Sequence, residues 1–66
     1  MIKNDRELET TQGRIRHFER LAAEIRKTET NAENCRLSVA GFLAEIDRMN
    51  LDVREYLFSV PAELSA

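Results

Sequence analysis

Side chains that suit a helical core recur in steps of three and four along two separate stretches of this chain. The first series is Leu8, Thr11, Ile15, Phe18, Ala22 and Ile25, with Leu21 on its flank. At about 100° per residue such steps keep one side of a helix apolar, so the spacing predicts a helix over about 5–29. Asn4 followed three residues on by Glu7 forms a capping-box pattern, and Asp5 and Glu7 suit the positive end of a helix dipole. The stretch TTQG at 10–13 lowers helix propensity, Gly13 alone by about 1 kcal/mol relative to Ala. A start after Thr11 is therefore the alternative, but Leu8 is in phase with Ile15 and Ala22 and favours the longer helix.

The second series is Cys35, Val39, Phe42, Ile46, Met49, Val53, Tyr56 and Val60, a heptad pattern sustained over more than three repeats. Between the two series, TETNAEN at 28–34 is polar and aperiodic, and Thr30 with Glu33 offers another capping box. Pro61 donates no backbone hydrogen bond and restricts Val60 before it, so the second helix is expected over about 32–59. Two helices of nearly equal length joined by a short turn make an antiparallel hairpin. Its expected core is Leu8, Ile15, Phe18, Ala22 and Ile25 against Val39, Phe42, Ile46, Met49, Val53 and Tyr56. Tyr56 and Val60 should lie beside Leu8 at the open end.

Helix two carries a second apolar line, Leu37, Ala40, Ala44, Leu51 and Phe58, well away from the first. One hairpin partner cannot cover both. A chain of 66 residues buries only about 60% of the surface it exposes when unfolded and usually needs a staple or a partner. The single cysteine excludes an internal disulfide. A second copy packed on the extra line would supply the missing burial, and two hairpins together give a four-helix bundle with two-fold symmetry. The fold expected is all-α, a single hairpin domain over 1–66 that dimerises.

Charge narrows the partners. With 33% charged and 42% hydrophobic residues the chain is too apolar for a disordered tail. Its net charge of -2 does not suit a polyanion binder. Arg14, Arg16, Arg20, Arg26 and Lys27 scatter around the polar arc of helix one with no interleaved aromatic, so nucleic-acid binding ranks last. The more acidic second half would attract this basic stretch. Arg20 with Glu24, and Arg48 with Asp52, are spaced as ordinary surface helix pairs.

His17 lies opposite the apolar stripe with no Cys, His or Ser at a useful offset. Cys35 falls on the stripe, where a small inert thiol fits. There is no Glu-x-x-His, phosphate loop or paired-carboxylate site. The expectation is a non-enzymatic protein without catalytic residues, metal or cofactor. No membrane span, signal peptide or small-molecule site is evident, and the expected setting is cytoplasmic. An adaptor or chaperone-like hairpin that offers its second line to a different protein is the alternative to self-association.

The order of features resembles the N-terminal helical hairpin of bacterial helix-turn-helix regulators of the antitoxin type. In those proteins an Ile-x-Asn-(Asp/Glu)-Arg start leads to a Thr and a helix with a Phe-Glu pair. A second helix follows, with a Leu…Ile-x-x-Leu…Glu-Tyr ending. The matching positions are Ile2, Asn4, Asp5, Arg6, Thr11, Phe18, Glu19, Leu43, Ile46, Met49, Glu55 and Tyr56. The resemblance implies a hairpin that supports association. In that family a DNA-reading helix-turn-helix follows the Glu-Tyr pair, whereas this sequence stops soon after Tyr56, so the expectation is the association part without the reader.

Overall fold

The computed structural model describes residues 1–59 and contains two α-helices, α1 (Asp5–Thr28) and α2 (Ala32–Phe58), packed as an antiparallel hairpin. Val60 and Pro61 lie outside the described residues. Each helix stops one residue short of the expected end, where Glu29 and Ser59 turn to extended backbone as C-caps. The Glu29 amide still donates to the Ile25 carbonyl at 2.9 Å, and the Ser59 amide donates to those of Glu55 and Tyr56.

α1 begins at its first capping residue. The Asn4 side chain accepts the Glu7 amide at 2.9 Å, and the Glu7 carboxylate accepts the Lys3 amide at 2.8 Å. Two otherwise orphan donors are thereby satisfied. The helix then runs unbroken through 10–13, which removes the start after Thr11. Thr10 keeps its hydroxyl occupied by donating to the Arg6 carbonyl at 3.1 Å, and Gly13 keeps a negative φ. The low intrinsic propensity of this stretch is outweighed by packing on α2, which half-buries Leu8 and Thr11 and buries Ile15.

The turn is built differently from the Thr30–Glu33 box. Asn31, not Thr30, is the N-cap of α2: its side chain accepts the Asn34 amide at 2.9 Å, while its own amide donates to the Glu29 carboxylate at 3.0 Å. Asn caps at least as well as Thr, and the contact from Glu29 fixes Asn31 at the point where the chain re-enters a helix. Thr30 is exposed between them.

The seam between the helices is centred on Ile15, Ile46 and Met49, with Phe18 and Val53 packed against them. Ala22 is also buried, and Leu8, Ile25, Val39, Phe42 and Tyr56 are half-buried along the same line. Phe18 and Phe42 meet across the seam with ring centroids 5.8 Å apart and planes at 44°, within the tilted geometry that aromatic pairs prefer. At the open end the Tyr56 hydroxyl donates to the Asp5 carboxylate at 2.6 Å, joining the first turn of α1 to the last turn of α2.

One buried residue was not in the expected core. Ile2, upstream of the cap and out of helical phase, is 9% exposed. It lines hollows at the open end together with Met49, Asp52 and Tyr56, extending the seam past the start of α1.

Candidate functional site

Because α1 covers one side of α2, the opposite side is open. On a helical wheel the covered stripe and the second apolar line lie about 180° apart. Leu37, Leu51 and Phe58 remain 67%, 54% and 86% exposed, and Ala40 and Ala44 are exposed between them. All five residues expected for association thus lie together on the uncovered face, and the residues expected for the seam lie on the covered one. Leu43, toward one border of this face, is also exposed, as is Leu57, which lies on the other side of α2 beside Tyr56, Lys3 and Asp5.

Charged side chains border this face. Asp47 and Arg54 stand on one border, and Arg48 and Glu55 on the other, each pair seven residues apart. Arg48 donates to Glu45 at 2.6 Å, one turn back, rather than to Asp52 one turn ahead. Asp52 instead lies 3.8 Å from the amino group of Met1. No ion pair joins Arg20 to Glu24, or α1 to α2, among the described residues. The expected attraction between basic and acidic halves therefore acts at most as a diffuse field, since no direct pair crosses from one helix to the other among the described residues. Between Leu51 and Phe58 a mainly apolar hollow of about 380 Å³ is walled by Arg54 and Glu55, with Ser59 at its end.

A larger, open cleft of about 690 Å³ lies at the mouth of the hairpin over Ile2 and Met49. Its rim carries Arg6, Arg14 and Arg48 against Glu7, Glu45 and Asp52. The Met1 amino group beside Asp52 adds a fourth positive charge, and the two signs alternate around the rim without a cluster of either. Arg14, Arg16, Arg20, Arg26 and Lys27 are all exposed on α1 and converge on no single groove.

His17 is exposed, its ring 6.1 Å from that of Phe18. Cys35 is a half-buried free thiol near the start of α2. Among the described residues no group of three or more His, Cys, Asp or Glu is arranged to hold a metal ion. Among the described residues Tyr56 has a perturbed titration: its hydrogen bond to Asp5, then partial desolvation, then the negative charge of Asp5 raise its pKa above the ordinary tyrosine value. The bond joins the two helix ends.

The hollow between Leu51 and Phe58 and the buried Ile2 are what sequence reasoning missed. The first is a four-residue set at i, i+3, i+4 and i+7, visible on a wheel once Arg54 and Glu55 are taken as walls rather than as solvated charges. The second had no periodic signal.

No protein-family model, curated protein or solved structure matches the chain. What the residues define is a small all-α hairpin with one covered and one uncovered apolar face on its second helix. No helix among the described residues is long and apolar enough to cross a membrane.

Proposed function

We propose that this hairpin is a non-enzymatic, self-associating protein–protein interaction module working in the cytoplasm. The observation that carries the reading is the exposure of Leu37, Leu51 and Phe58 in one line on the side of α2 that α1 cannot reach. Isolated surface hydrophobes are common, but a continuous apolar line several turns long is the kind of surface that marks an interaction site. A second hairpin offers the same line, and a two-fold pairing lets one patch serve both copies. The residue order from Ile2 to Tyr56 supports a further reading of the chain as an accessory or orphan relative of the association segment of antitoxin-type regulators.

Analytical ultracentrifugation tests the association. The wild-type chain should sediment as a concentration-dependent dimer, and Leu51→Asp should sediment as a monomer. A wild-type chain that stays a folded monomer up to high micromolar concentration would count against the proposal. In that case the adaptor reading, with a different protein on the same face, takes its place.

A further inference from the structure

The uncovered line on α2 has an internal symmetry. Ala44 and Phe58 stand seven residues to either side of Leu51, Asp47 and Glu55 stand four, and Arg48 and Arg54 stand three. We propose that a second copy of the chain packs α2 against α2 in antiparallel sense, with the two-fold axis at Leu51. This rests on the self-association reading and specifies its geometry.

Size and charge both select this register. Leu51 of each copy meets the partner's Leu51 on the axis, and small Ala44 faces the partner's large Phe58 on each side. On one border Asp47 comes level with the partner's Arg54, within one residue's rise of about 1.5 Å. On the other border Arg48 comes level with the partner's Glu55 in the same way. Four reciprocal opposite-charge pairs result. Asp47, Arg54 and Glu55 have no ion-pair partner within the hairpin among the described residues. Arg48 pairs with Glu45 but keeps a side-chain exposure of 69% and guanidinium donors to spare.

The hollow of about 380 Å³ fits the same picture. Leu51, Arg54, Glu55 and Phe58 form the four-cornered hole that receives a facing side chain in helix–helix packing. In this register the hole lies opposite the partner's Asp47 and Arg48, whose charges are opposite to those of its two polar walls.

Competing arrangements fare worse. Parallel pairing also matches the border charges, but it stacks Phe58 on the partner's Phe58 and leaves Ala44 facing the partner's Ala44. An antiparallel register shifted by one heptad covers Leu37, but it sets Asp47 against the partner's Asp47 and Arg48 against the partner's Arg48. Leu37 therefore lies outside the contact. Since the face is opposite α1, the four helices line up in a row, with α2 of each copy inside and α1 at each outer edge, in place of the closed four-helix bundle expected from the sequence.

Charge exchange and cross-linking test the register in the full-length chain. Positions 47 and 54 are two turns apart on one helix, about 10 Å, too far to pair within a copy once both are replaced. Asp47→Arg and Arg54→Asp should each raise the dimer dissociation constant about tenfold. The double variant should return to within about threefold of wild type. In a Cys35→Ser background, Leu51→Cys should form a disulfide-linked dimer readily. Ala44→Cys should do so only when mixed with Phe58→Cys. All these positions except Cys35 are exposed, and helix content is checked by circular dichroism. Rapid self-cross-linking of Ala44→Cys, or a double charge variant no tighter than the single ones, overturns the register while wild-type dimerisation stands. A wild-type chain that is monomeric throughout overturns the register together with the self-association reading.

Discussion

Replacing Ile46 by Ala probes the seam at its centre. Ile46 is 5% exposed and touches the cluster of Ile15 and Met49, with Phe18 and Val53 packed around it. The change removes the equivalent of about three buried methylenes at about 0.8 kcal/mol each and adds a cavity term. Phe18 and Val53 are only half-buried and can relax into part of the gap, so a loss of about 3 kcal/mol is expected, in the lower half of the range for such truncations. A domain of this size holds only about 3–5 kcal/mol in all. The same substitution at Leu43, which is 48% exposed and lies off the seam, should cost less than about 1 kcal/mol. Thermal melts followed by circular dichroism at matched protein concentration separate the two, since association adds a concentration-dependent term. The Ile46→Ala midpoint should fall by roughly 12–24 °C, and Leu43→Ala should stay within about 8 °C of wild type. If the two variants melt together, the seam is not where the structure places it.

Two further outcomes follow from named contacts. Tyr56 is the only tyrosine and there is no tryptophan, so phenolate absorbance reports this one group. Its midpoint should lie above the ordinary value of about 10 and return toward it in Asp5→Asn. Because the folded-state value is raised, the stabilisation from this bond is fully present below about pH 10 and is lost as pH rises through the folded value. An unchanged titration in Asp5→Asn would show that the helix ends are not joined there. Gly13 sits mid-helix, and a methyl group added to it would meet no atom within 4 Å beyond its chain neighbours and its own turn of helix backbone. Gly13→Ala should therefore gain about 0.5–1 kcal/mol and raise the melting midpoint by about 2–8 °C; a lowered midpoint would mean that this stretch of α1 is not a regular helix.

The helical period carried most of the fold. It phases the seam residues of both helices, from Leu8 to Ile25 and from Val39 to Tyr56, because burial against a single neighbour requires one continuous stripe. It equally separates Leu37, Leu51 and Phe58 from that stripe. What it could not resolve was local competition between polar groups. Thr30 and Asn31 are both good caps, and the choice fell to Asn31 through a contact from Glu29 that no spacing rule anticipates. Arg48 had carboxylates one turn away on both sides and took Glu45. Ile2 lies before the first helical turn, where there is no period to read. The candidate surface was legible as a line of residues, whereas its hollow and its charged borders emerged only with Arg54 and Glu55 in place.

The hydrogen bond between Asp5 and Tyr56 spans 51 positions of sequence, yet no large loop need close to form it. Across the seam, partners such as Phe18 with Phe42 and Asp5 with Tyr56 are mirrored about the Asn31 turn, each pair farther out than the last. Contacts can thus form in succession from the turn outward. Each then pays only the small closure entropy left by its inner neighbour rather than that of the whole intervening chain. Such a chain should fold quickly for its number of distant contacts, and it should open from the mouth, with amide exchange fastest around Asp5 and Tyr56 and slowest near Ile15 and Ile46.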